Sequence, residues 1–184
     1  RTAFRRGAEV TLISGPTTQQ PPAGVELIKV TTAMDMHQEV MARYRDNSVI
    51  VKAAAVSDFR WATQSEQKIK KDRSSLVMEL EQNPDILKEL GALRDHGRQL
   101  LIGFAAESSN IEEEGRKKLL AKGLDLIAVN DISSSTSGFE VDNNQITLID
   151  SSGVKKLLHT SKIKTADLIW DHVVTNKMLR PARP

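Results

Sequence analysis

The sequence predicts an open α/β fold: a mostly parallel sheet with helices on both faces and an antiparallel hairpin at one edge. Three observations carry the prediction. Val49-Ile50-Val51 with Ala53, Ala54 and Ala55, and the run QLLIGFAA from Gln99 to Ala106, have the length and continuous apolar character of strands buried on both faces. Segments of helical period stand between such runs. Near the C-terminus the pattern changes to alternation on either side of Ser151-Ser152-Gly153, which reads as a hairpin.

Taken in order, Arg1 to Gly7 reads as the last turns of a helix closed by a C-terminal glycine, and Ala8 to Ser14 as a strand stopped by Gly15-Pro16. A helix without its beginning implies a lost strand and turn, and in doubly wound folds that turn often carries a phosphate loop. No GxGxxG is present in these residues. After a Pro/Gln loop, Thr17 to Gly24, a strand at Val25 to Val30 leads to a helix from about Ala33 to Arg45, capped by Thr31 or Thr32. The strand from Val49 follows, then an exposed strand at Leu76 to Leu80. Asn83-Pro84-Asp85 predicts a helix start with Asn as cap and Pro in the first turn, and the helix ends near Leu93.

Beyond the strand at Gln99 to Ala106, Glu107 to Asn110 opens a helix with Glu112, Glu113 and Glu114 at its positive end. Arg116, Lys117, Lys118 and Lys122 lie toward its negative end, and Gly123 closes it. Leu124 to Val129 is a strand with Asn130-Asp131 at its carboxyl end. Ser133 to Asn143 reads as a loop, Gln145 to His159 as the hairpin, and Thr165 to Met178 as a helix with an apolar stripe at Leu168, Ile169, Trp170, Val173 and Val174.

Composition narrows the function. The 184 residues carry 26 basic and 24 acidic side chains, a net charge of +2, so there is no general basic footprint for nucleic acid and any anion site must be local. The 39% hydrophobic content suits one domain over residues 1–184, without a run long enough to span a membrane. Having no cysteine, the sequence offers no disulfide framework and no thiolate chemistry, and a cytoplasmic setting is expected. The four histidines, His37, His96, His159 and His172, lack metal-ligand spacing and read as surface or capping residues.

Ligands of open α/β sheets bind beyond the carboxyl ends of the strands, which singles out Asp58. It is either a turn or helix cap, or a ligand to Mg²⁺ or a nucleotide hydroxyl. Lys68, Lys70 and Lys71 are either a solvated charge run or a phosphate clamp on a mobile flap. Lys118 and Lys122, four apart, share one side of their helix. Phe104 is a core residue or, beside Gly103, a stacking surface for a base.

Six linked segments, AAVSDFR followed by KIKK ten residues after its aspartate, NPDI, GFAAES, KKLLAKGLDLIAVNDIS and GFEVDNN, together resemble the phosphopantothenate-cysteine ligase family, in its order and spacing from Arg1 to about Met178. In bacteria this unit is usually the C-terminal half of a bifunctional coenzyme A biosynthesis flavoprotein whose N-terminal half is a decarboxylase. The resemblance implies a Rossmann-like domain, usually dimeric, that joins 4'-phosphopantothenate to L-cysteine, with CTP activating the carboxylate and Mg²⁺ assisting.

Carried over by motif, Lys68 is the catalytic flap lysine on the phosphates, and Asp58 serves the metal or the nucleotide. Lys118 and Lys122 hold phosphates. Ala54, the turn Pro84, Asp85, Ile86 and Leu87, and Phe104 line the nucleotide pocket, with Asn130 a substrate contact at the same rim. The family's first strand, glycine-rich turn and an Asn-x-x-Ser-Ser-Gly substrate segment would precede Arg1, and a chain truncated there is expected to be weakened or inactive. Two other readings stay open: a doubly wound NAD(P)-binding reductase, against which stand the absent GxGxxG and Tyr-x-x-x-Lys pair, and a non-catalytic nucleotide-binding module.

Overall fold

The computed structural model describes residues 1–63, 77–133, 143–176 and 178–179. The chain begins with α1 (Thr2–Arg5), β1 (Thr11–Ser14), β2 (Glu26–Lys29), α2 (Ala33–Arg43), a 3₁₀ turn at Tyr44–Asp46 and β3 (Val49–Lys52). A short pair, β4 (Phe59–Trp61) and β5 (Leu80–Gln82), precedes α3 (Ile86–Leu93), β6 (Leu100–Glu107), α4 (Ile111–Ala121) and β7 (Leu126–Asp131). The chain closes with β8 (Asn143–Asn144), β9 (Ile146–Asp150), β10 (Gly153–Lys156), β11 (Thr160–Ser161) and α5 (Lys162–Thr175).

The central sheet has the order β10-β9-β7-β6-β3, parallel across β3, β6 and β7 and antiparallel at β9 and β10. This is the expected mostly parallel sheet with a hairpin edge. Period-two alternation sends Leu101, Ile127, Val129 and Ile149 into a core shared with α2, α3 and α4. It sends Leu100, Ile102, Leu126, Ala128 and Leu148 to the other face, against Ile169 and Val173 of α5. Helices therefore cover both faces, which is why β6 and β7 read as continuous apolar runs. Arg6 beyond α1 reaches Asp171, 2.8 Å, and Asp167, 3.3 Å, on α5. No helix among the described residues is long and apolar enough to cross a membrane.

Local signals set most helix ends. Thr32 caps α2 in a capping box: its Oγ1 accepts from the Asp35 amide at 3.0 Å, and the Asp35 carboxylate accepts from Thr32 at 2.9 Å. Thr32→Ala is expected to cost about 1 kcal/mol in urea denaturation; an unchanged midpoint would show the cap to be idle. Gly123, at φ +59°, ends the turn after α4 in the left-handed region that glycine favours.

Four expectations are corrected. The strand from Val49 is not buried on both faces: it stops at Lys52, Val51 is 46% exposed, and Ala53 to Ala55 are exposed coil. The reason is position: among the described residues β3 has a sheet neighbour on one side only, and β1 and β2 form a separate parallel pair. A groove of about 750 Å³ lies between β1 and β3. Secondly, α3 is capped by Asp85, whose carboxylate accepts from the Lys88 amide at 3.2 Å. Asn83 is buried and engaged elsewhere, donating to the Ser57 carbonyl at 2.8 Å and accepting from Arg60 at 3.2 Å.

Thirdly, Phe59 to Trp61 form a strand, and its partner is Leu80–Gln82, later in the chain than the segment expected. Finally, His172 is not a surface residue. It is buried on α5 with Nε2 2.6 Å from Asp150, itself 4% exposed, while Val174 of the expected stripe is 54% exposed.

Burial pushes the Asp150 carboxyl up, but hydrogen bonds from Ser152 and His172 more than offset it and hold it below the ordinary value. A carboxylate depressed in the folded state contributes stability above its unfolded pKa and loses it as pH falls through the folded one. Acid unfolding should therefore steepen below about pH 4. Asp150→Asn should flatten that acid limb when followed by circular dichroism, and an unaltered limb would remove Asp150 from the account.

Candidate functional site

The β3 strand delivers Lys52 to its carboxyl end, and the ammonium donates to the Ala54 carbonyl at 3.1 Å. Burial pushes Lys52 below its ordinary pKa, Lys122 adds to the shift, and Asp85 and Asp58 oppose it. Those four side chains thus occupy one neighbourhood. The Lys122 ammonium stands 3.2 Å from the Asp85 carboxylate. Burial raises Asp85, but the Lys88 amide and Lys122 outweigh it and leave the group below its usual value.

Two ammoniums beside two carboxylates at the first turn of α3 make a mixed-charge rim. Among the described residues no partner is seen for the Ile86 and Leu87 amides at that helix start. Free first-turn amides and nearby lysines suit an anion. In such a rim lysines suit negative oxygens and carboxylates suit a cation.

The expected site residues divide between the two faces of the sheet. Asp58, exposed at the start of the β4 hairpin, belongs to the rim, and its backbone carbonyl accepts from Asn83 at 2.8 Å. Ala54 is exposed there, Pro84 is half-buried, and Ile86 and Leu87 turn their side chains into the core, 2% and 5% exposed, so that only their backbone faces the rim. Lys118 lies on the same face but is engaged by Glu107, the last residue of β6.

Phe104 is half-buried against the α5 core layer, on the opposite face from Leu87. Asn130 shares that layer, because it pairs with Ala106 in β7, and its buried Oδ1 has no partner among the described residues. Lys68, Lys70 and Lys71 lie outside the described residues.

Lys52 and Glu107 were missed by the sequence reading. A lysine interrupting the apolar run VIVKAAA was the available signal for the first. The second has no such mark.

Among the described residues no three His, Cys, Asp or Glu side chains converge as a metal cage. Asp58 and Asp85, both acting on Lys52, suit the alternative in which one or two carboxylates hold Mg²⁺ together with substrate phosphates.

A mostly parallel open sheet with a mixed-charge rim at its strand ends defines an α/β ligand-binding domain. The family described as DNA/pantothenate metabolism flavoprotein C-terminal domain matches residues 1–177, and the chain belongs to that family. It is 42% identical over 176 residues to the coenzyme A biosynthesis bifunctional protein CoaBC of Escherichia coli strain K12, covering 94% of this chain and 43% of that protein. The Bacillus subtilis protein of the same name is 43% identical over 157 residues, 85% of this chain and 38% of that one. The chain thus spans less than half the length of these relatives. The crystal structure of a CoaBC C-terminal domain superposes with a TM-score of 0.76 at 37% identity, covering 93% of this chain and 76% of that one.

Proposed function

We propose that this chain is the ligase unit of coenzyme A biosynthesis, joining 4'-phosphopantothenate to L-cysteine at the expense of CTP. The observation that carries the reading is the meeting of Lys52, Lys122, Asp58 and Asp85 beside the first turn of α3. The names of the relatives, coenzyme A biosynthesis bifunctional proteins, support the pathway. In the reaction the phosphopantothenate carboxylate attacks the α-phosphorus of CTP and pyrophosphate leaves. The cysteine amine then attacks the acyl carbon of the acyl-cytidylate, loses its proton and expels CMP.

The difficulty of the first step is electrostatic, since a carboxylate must approach a polyanion. Lys52, Lys122 and the α3 amides lower that repulsion and orient the triphosphate. Lys118 joins them only by leaving Glu107, so Glu107 competes with the ligand for this cation. Asp58 would hold Mg²⁺ together with the phosphates, and the ion would supply further charge neutralisation. Lys68 is assigned as the flap lysine, Phe104 as a base contact and Asn130 as a substrate contact. The same reading places the enzyme in the cytoplasm as a homodimer, fused upstream to a decarboxylase.

The test is binding and turnover. CTP with Mg²⁺ should bind the chain more tightly than ATP in isothermal titration, and NADPH should not bind. In the longer protein, pyrophosphate release should require both CTP and 4'-phosphopantothenate. Lys68→Gln should remove at least about 10²-fold of that release, the usual effect of losing one positioned charge on a transition state, with an unchanged thermal midpoint. Release without phosphopantothenate, or NADPH binding, would overturn the assignment in favour of a nucleotide-binding module or a reductase.

A further inference from the structure

We propose that Asn83 is a positioning residue, which aims Asp58, sets its distance from Asp85, and so governs how tightly Mg²⁺ and nucleotide are held together at the rim. This role of Asn83 rests on the function proposed above, because Asp58 is there the carboxylate that would hold the ion.

Asn83 is 7% exposed and lies two residues before the α3 cap. Its side-chain Nδ2 donates to the Ser57 carbonyl at 2.8 Å, and its backbone amide donates to the Asp58 carbonyl at 2.8 Å. The Ser57 carbonyl belongs to the peptide plane that enters Asp58, and the Asp58 carbonyl to the plane that leaves it. A residue has only two soft backbone angles, φ and ψ. Tethering both planes fixes those angles, and with them the direction in which the Asp58 side chain departs. The backbone bond merely extends the β4-β5 ladder by one rung beyond the pair of Phe59 and Gln82. The side-chain bond has no counterpart in a ladder.

Arg60 orients the amide group. It donates to Asn83 Oδ1 at 3.2 Å, which leaves Nδ2 to face Ser57, and is itself anchored by the Gln82 carbonyl at 2.9 Å and Glu81 at 2.7 Å. On the other side of Asn83 the chain is stiff, because Pro84 locks its own φ and disfavours helical backbone at the residue before it. Asp85 follows at once, its carboxylate accepting from the Lys88 amide at 3.2 Å and standing 3.2 Å from the Lys122 ammonium. One buried residue thus joins the two rim carboxylates through a connection of little freedom.

Asp58 is exposed, so nothing but its backbone setting aims it. Mg²⁺ tolerates little departure from octahedral geometry, which makes it sensitive to such aim. Groups that orient a metal ligand typically contribute about 10–100-fold to metal affinity.

The test is isothermal titration of CTP into the chain with and without Mg²⁺, well below the thermal midpoint of each variant. Asn83→Ala should raise the Mg²⁺ concentration needed for half of the gain in CTP affinity by about 10–100-fold. CTP affinity without Mg²⁺ should not change, since Lys52 and Lys122 do not act through Asp58. Asn83→Asp keeps the volume and the acceptor for Arg60 but cannot donate to Ser57, and it should show the same loss, so the result does not hang on how well the alanine variant folds. In an Asp58→Asn background Asn83→Ala should have no further effect, because both substitutions act through one carboxylate. An equal fall in affinity with and without Mg²⁺ would make Asn83 a structural residue and overturn the proposal, as would additive losses in the double variant. A parent chain whose CTP affinity ignores Mg²⁺ would overturn the reading of the rim itself. A parent that responds to Mg²⁺, beside Asn83 variants that respond equally, would overturn the positioning role alone.

Discussion

Arg94→Ala is expected to destabilise the fold by about 3–5 kcal/mol, the cost of removing one partner from a buried ion pair. The Arg94 side chain is 2% exposed at the end of α3, where it grips Asp125 with both terminal nitrogens. It also donates to the carbonyls of Gln99 and Gly123, each at 2.8 Å, and the same Asp125 carboxylate accepts from the Leu101 amide at 2.8 Å. One guanidinium thus ties the end of α3 to the start of β6 and to the turn after α4. Alanine strands a carboxylate and two carbonyls together, each needing water that the site excludes. Lysine would not rescue it, because a point charge cannot reproduce the fork. Urea denaturation reads the effect directly, and a loss under about 1 kcal/mol, the value of an exposed pair, would show that the neighbourhood rehydrates.

Gly91→Ala is expected to destabilise by about 3 kcal/mol, the upper range for overpacking, and, on the function proposed above, to weaken CTP binding. In an exposed helix the same exchange would stabilise by up to about 1 kcal/mol. Here the sign reverses, because an alanine Cβ would stand 2.0 Å from the Lys122 carbonyl oxygen and 2.9 Å from its carbon. Both obstacles are backbone, so no rotamer change relieves them. Helix α3 and the end of α4 must part, and the Lys122 to Asp85 contact at 3.2 Å goes with them. Denaturation and nucleotide titration of one variant test the packing and the site together. A variant as stable as the parent would mean that the α3 to α4 contact is looser than it stands.

Elements whose signals are local were legible. The capping box at Thr32 and Asp35 lies within four residues, and α4 is bracketed by its acidic first turn and by Gly123. The apolar runs that became β6 and β7 owe their continuity to cover on both faces, which composition records. The α3 cap was misplaced by two residues because Asn83 and Asp85 are equally good caps in isolation. What decided between them was Ser57 and Arg60, which claim Asn83 from the neighbouring hairpin.

The candidate site was legible to a similar depth. Asp58 was marked by its place at a strand end, and Asp85 and Lys122 by the family motif; the fold brings them together. Phe104, marked as an aromatic beside Gly103, lies in the layer against α5, because the strand period of two assigns its face independently of chemistry. Lys52 joins the rim only because α3 and α4 carry Asp85 and Lys122 to it, and a single lysine in an apolar run does not announce such neighbours.

By itself the sequence determined the α/β class, the order of most elements and the family, because periodicity, caps and motif spacing are properties of short stretches. Only the tertiary structure decided that β3 has a single neighbour among the described strands, that a groove divides it from β1, and that Lys118 is held by Glu107. Those facts depend on which distant segments become neighbours. A strand's composition does not record whether its second edge is filled, and a lysine's identity does not record which carboxylate is brought within reach.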